Sequence, residues 1–283
     1  MLKRSVLGII AVMAFALLGC GKGVDDPADR GKEKAPEGDA KIGGVPSRLG
    51  LNSFYKKYVD ADGIPVVGSE KVSDEAMLAT RDIIMEMLDD VGQEVSAKMK
   101  ERKTYMIVMA KSEMTTDIPE YAYLKNDPDT DWDQRARGLG GNDWYPYTCC
   151  AEENILHLAE DRYFNEDITI HEFSHTIHNL GLAKVYPDFN NRLTKALEAA
   201  KAEGKWADTY ADDNIEEYLA EGVQDWYDVN TEVNVPNGVH NRVNTREELQ
   251  RYDKALYDII AEYYKVPDNH FSRHPKVNRY NYE

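Results

Sequence analysis

From Met77 onward, apolar residues return at helical spacing. Ile84, Leu88, Val91, Val95 and Met99 follow, with charged residues in the gaps. Ser73 ahead of Asp74 and Glu75 supplies a cap and a negative first turn, so the pattern predicts one long amphipathic helix over about 73–99. The period changes at Thr104–Ala110 (TYMIVMA), a β-prone run between charged residues that predicts a strand. From Lys111 to Cys150 the periodicity is lost. Asp-Pro, Gly-Leu-Gly-Gly and Tyr-Pro-Tyr segments there predict loop. Glu153–Leu158 (ENILHL) predicts a short strand near a sheet edge, and beyond Glu166 the pattern is helical. The last helix opens at Thr245 with a Thr245/Glu248 capping box, and Leu249, Tyr252, Leu256, Ile259 and Tyr263 form its apolar stripe.

The two ends of the first fifty residues differ in kind. Lys3 and Arg4 precede an apolar run from Val6 to Leu18, shorter than the roughly 20 residues of a membrane span and suited to a secretory signal. It closes in Leu17-Leu18-Gly19-Cys20, which resembles the lipobox of bacterial lipoproteins. That resemblance implies a signal peptide over 1–19 and lipid on Cys20, anchoring an exported protein to a bilayer of the cell envelope. Gly21 after the cysteine implies the outer membrane in a Gram-negative host. Residues 20–48 are rich in Gly, Asp, Glu, Lys, Pro and Ala, and read as a flexible tether. The globular part is expected over 49–283.

Composition narrows the reading further. The chain has 283 residues, 42% of them hydrophobic, enough for one substantial core. A formal net charge of -17 repels phosphates and argues against a nucleic-acid partner. With Cys20 assigned to lipid, the adjacent pair Cys149 and Cys150 remains. A disulfide between neighbours closes almost no loop, so these read as buried thiols.

Candidate chemistry sits at 171–175, His-Glu-Phe-Ser-His. Histidines at i and i+4 lie about 40° apart on a helix, so both rings can meet one ion. Glu172 is turned about 100° away and can reach a water held by the metal. Asn165 offers a cap for this helix and Gly181 a stop. A third ligand is needed. A third histidine at 181 is ruled out because that residue is Gly181. Glu198 lies at a thermolysin-like distance, but Ala202 stands where an aspartate should follow, and the surrounding helix reads as exposed. Asp213 and Glu216 open a further helix on which Glu217 and Glu221 share one face, among Leu219, Ala220, Val223 and Trp226. Two carboxylates buried there need a cation or a histidine; otherwise both face solvent.

The stretch from about Tyr163 to Tyr227 resembles the catalytic domain of the anthrax lethal factor-like gluzincins. In them a His-Glu-x-x-His helix is followed some forty-odd residues later by Glu-aromatic-x-Ala-Glu. Here Glu217 follows His175 by 42 residues, and Tyr210 stands seven before Glu217. The resemblance implies one Zn²⁺ per chain on His171, His175 and Glu217, Glu221 orienting a ligating histidine, and Tyr210 beside the metal. It further implies peptide hydrolysis with Glu172 as general base, Tyr210 holding the oxyanion, and a peptide or protein substrate. The expected fold is α+β and zincin-like: a small, mostly antiparallel sheet, an active-site helix and a helical C-terminal half. Arg135, Arg137 and the Gly138–Gly141 loop are expected to border the cleft, with ENILHL as the edge strand for an extended peptide. His178 is read as a core or supporting residue; His157, His270 and His274 are read as structural. Two alternatives stand beside this reading: a catalytically inactive zincin scaffold that serves as a surface binding protein, and a metal-free pair of packed helices.

Overall fold

In the computed structural model, residues 40–265 except Phe164 are described. Cys20, the signal and most of the tether, His270 and His274 lie outside them. Five strands form one sheet in the order β1-β2-β3-β5-β4: β1 Lys57–Ala61, β2 Ile64–Gly68, β3 Tyr105–Met109, β4 Gly138–Leu139 and β5 Tyr147–Ala151. The helices are α1 Asp74–Val91, α2 Gln93–Glu101, α3 Trp132–Arg135, α4 Glu152–Ile155, α5 Ile168–Ile177, α6 Ala183–Val185, α7 Phe189–Ala202, α8 Ile215–Trp226, α9 Arg246–Tyr252 and α10 Lys254–Tyr263. The protein is α+β with a helical C-terminal half, as expected. No helix among the described residues is long and apolar enough to cross a membrane.

The sheet is mixed rather than mostly antiparallel. β1–β2 and β4–β5 are antiparallel, while β2–β3 and β3–β5 are parallel. Each parallel pairing is made by chain that leaves the sheet and returns to it, through α1 and α2 for β2–β3. The alternation along β3 is clean. Met106 and Val108 join the large core under the helices, and Ile107 and Met109 join a smaller one on the opposite face with Tyr55, Tyr121 and Tyr147. β5 lies where a loop was expected. Both of its faces are covered, so Tyr-Thr-Cys-Cys-Ala is buried throughout and shows no polar alternation. Cys149 and Cys150 fall on opposite faces as buried free thiols.

Several boundaries move for physical reasons. The expected 73–99 helix is two helices, broken at Gly92, whose φ of +83° a residue with a side chain rarely adopts. The Thr245 helix likewise divides at Asp253, which caps α10 by accepting from the Leu256 amide. ENILHL is no strand: its acidic start forms α4, and the sheet edge beside α5 is β4. At the near end, Gly43 bridges Tyr58 ahead of residue 49.

Candidate metal centre

Helix α5 carries the His-Glu-x-x-His segment across the inner face of the sheet. Asp167, rather than Asn165, caps it, its carboxylate accepting from the Thr169 and Ile170 amides. The helix does not stop at Gly181; it passes into a π-helical turn, His178–Leu182, in which a Cβ on Gly181 would meet Val95 Cγ1 at 2.5 Å. Thr176 Oγ1 lies 2.5 Å from Thr148 Oγ1, fixing α5 to β5. On the other side, the glycine loop lies directly on α5. A Cβ on Gly140 would come within 2.6 Å of His175 Cβ and 2.9 Å of the Glu172 carbonyl oxygen, so the backbone approaches only because the side chain is absent.

Helix α8 approaches from the second direction, capped by Asn214, which accepts from the Glu217 amide, instead of by an Asp213/Glu216 box. This brings three predicted ligands together. His171 Nε2 lies 3.1 Å from Glu217 Oε2, His175 Nε2 3.2 Å from His171 Nε2, and His175 Nε2 3.6 Å from Glu217 Oε2. Zinc held tetrahedrally at about 2.0–2.2 Å sets its ligand atoms roughly 3.3–3.5 Å apart. Each side of the triangle lies within about 0.2 Å of that edge. A proton shared between His171 and Glu217 satisfies one side of it, whereas a divalent cation satisfies all three at once. The second ring nitrogen of His171 supports this: Nδ1 lies 2.8 Å from Gln224 Oε1, and the Gln224 amide nitrogen is occupied by Glu166 Oε2 and the Asp167 carbonyl. Nδ1 is therefore the donor, and in the neutral ring the Nε2 lone pair faces the triangle. The residues present fit a zinc ion.

The electrostatics follow from the same contacts. Burial disfavours charge on His171 and Glu217, but their hydrogen bond and the surrounding charges outweigh it, raising His171 well above its usual range and lowering Glu217. Burial raises Glu172, against His171 and His175, which lower it, and a backbone hydrogen bond from Gly140. The centre is partly exposed: 12% of the His175 side chain and 28% of Glu217 are accessible.

The other predicted residues are placed as follows. Glu221 lies behind the centre, its Oε1 3.5 Å from His171 Nδ1. Tyr210 is half-buried at the start of a 3₁₀ turn, Tyr210–Asp212, just ahead of α8, with its amide donating to Val239 O at 2.9 Å. Burial, with smaller contributions from Glu166, Tyr210 and Glu172, raises the Tyr163 phenol against the opposing charge of Arg162. Arg137 does not border a cleft: it is buried in an ion pair with Glu153 and also donates to Glu113 O. Glu198 is exposed on α7. His178 is buried in the core with its Nε2 at Asn190 Oδ1. Gln224, Glu166 and His240 were not anticipated. Gln224 alone had a visible signal, since it follows Glu221 by three positions on the same helical face.

No family model matches this chain, and no curated protein matches it. Among solved structures it is similar to the Pro-Pro endopeptidase PPEP-2 from Paenibacillus alvei, with 15% identity and a TM-score of 0.46, covering 70% of this chain and 96% of that one.

Proposed function

We propose that this chain is a zinc-dependent peptidase. The observation that carries the reading is the triangle of His171 Nε2, His175 Nε2 and Glu217 Oε2, with sides of 3.1–3.6 Å, formed between α5, which also carries Glu172, and α8. His171, His175 and Glu217 would hold a zinc ion, which would supply a Lewis acid and lower the pKa of a bound water to about 7. Glu172, adjacent to His171 and raised by burial, takes the proton of the attacking water and returns it to the leaving amine. The Tyr210 hydroxyl donates to the carbonyl oxygen as negative charge gathers there. β4 pairs only with β5 among the described residues, so its outer edge is the backbone offered to an extended peptide, next to Glu172 and His175. Lipid on Cys20 would place this activity at a bilayer of the cell envelope, and it belongs to the same proposal.

The test is Glu172→Gln assayed on a peptide library beside the wild type. Cleavage falls by about 10²–10⁴-fold while one zinc per chain is retained. Undiminished cleavage by the variant contradicts the assignment.

A further inference from the structure

Behind His171 the side chains close into a ring of two hydrogen bonds and three longer ionic contacts, His240 Nδ1 having no hydrogen-bond partner among the described residues. Nδ1 of His171 faces Gln224 Oε1 at 2.8 Å, and Gln224 Nε2 donates to Glu166 Oε2 at 3.2 Å. Glu166 Oε1 lies 3.4 Å from His240 Nε2, and His240 Nδ1 lies 3.6 Å from Glu221 Oε2. The other oxygen of Glu221 returns to His171 Nδ1 at 3.5 Å. None of the five residues is more than 9% exposed. Three elements contribute to the ring: α5 with the turn before it, α8, and the irregular segment that follows α8.

Enclosed carboxylates are costly unless a positive group meets them. Besides His171, only His240 in this ring can carry positive charge. Burial works against that charge, but Glu166 and Glu221 on either side outweigh it and raise the His240 pKa to about 10. Asn230 Nδ2 straps Glu221 Oε2 at 3.1 Å and Asp225 Oδ1 at 2.9 Å, and Asn237 Oδ1 accepts from the His240 amide at 2.9 Å, fixing the segment that presents the imidazole. The residue before His240 has a separate contact: the Val239 carbonyl accepts the Tyr210 amide at 2.9 Å.

We propose that His240 is a positioning residue: bridging Glu166 and Glu221, it holds Gln224 and Glu221 against Nδ1 of His171 and so aims that imidazole at the metal, while Val239 fixes the start of the Tyr210 turn. This rests on the zinc reading above. Loss of such outer partners typically weakens metal binding 10–100-fold.

The test uses the globular chain carrying His240→Gln, loaded with Co²⁺ for its visible absorption bands and with Zn²⁺ in competition with a chelator. The expected result is zinc binding about 10–100-fold weaker than wild type, with shifted cobalt bands at saturation, in a protein that still unfolds cooperatively. Glu166→Gln cuts the ring one contact further on and carries the test if His240→Gln does not fold. Cobalt bands identical to wild type, or zinc affinity within about twofold of it, overturn the proposal. Glu217→Ala run in parallel separates the two levels: if it retains stoichiometric zinc, the zinc site itself is misassigned.

Discussion

Helix α8 carries Glu217 and Glu221 one turn apart, yet their surroundings are opposite. Glu217 stands in front of His171, 28% exposed in its side chain and facing the two Nε2 atoms. Glu221 stands behind the same imidazole, 4% exposed, between His171, His240 and Asn230. Helix α5 uses the same i, i+4 spacing differently, turning His171 and His175 onto a single point 3.2 Å apart. Equal spacing on two helices therefore gives two outcomes. What differs is which nitrogen of the His171 ring each carboxylate meets, Nε2 for Glu217 and Nδ1 for Glu221, which separates a partly exposed front from a sealed rear.

If this division holds, a front residue changes turnover and leaves metal binding alone. Tyr210→Phe should lower kcat by about 10²–10³-fold, the range for losing one oxyanion donor, with zinc affinity unchanged in chelator competition. A parallel loss of zinc would place Tyr210 with the rear group instead.

The rear half predicts a smaller, pH-dependent effect on stability. The folded pKa of His240 is raised to about 10, above the ordinary value of about 6.5. Its contribution to stability is thus complete below about pH 6.5 and is lost as pH rises through about 10. Urea unfolding of wild type and His240→Gln should show a free-energy gap that narrows between those values. Glu166 and Glu221 face His240, and the gap is read above pH 6.5 where ordinary carboxylates are already ionised; because burial raises Asp225 well above that ordinary range, the comparison is repeated on an Asp225→Asn background. A gap that stays flat or widens contradicts a charged bridge.

The front, and Glu221 behind it, were legible in the sequence; Glu166, Gln224 and His240 were not, for a reason visible in the residues. His171, Glu172 and His175 are set by the geometry of a single helix, and the Glu217 and Tyr210 positions by a motif spacing. The rear contacts join Glu166 to Gln224 across 58 positions, and join Glu166 to His240, which lies in an irregular segment beyond α8, so no local pattern announces them. The fold behaves similarly. The amphipathic faces of α1, α2, α8 and α10 were readable, but β5 was missed because a strand covered on both sides has no alternation to show. ENILHL misled because Ile155 and Leu158 fit a helical interval as well as a strand, and Glu152 with Glu153 supplies a helix start. Gly92 was present as a breaker inside an otherwise continuous stripe, and the stripe hid it.

The most direct test of the central claim is elemental zinc content, measured in parallel on the wild-type chain and on Glu217→Ala after reconstitution at neutral pH. The account predicts about one zinc per wild-type chain and its loss from the variant, because two histidines 3.2 Å apart do not replace a third ligand. No zinc in the wild type, or full zinc in Glu217→Ala, would contradict it.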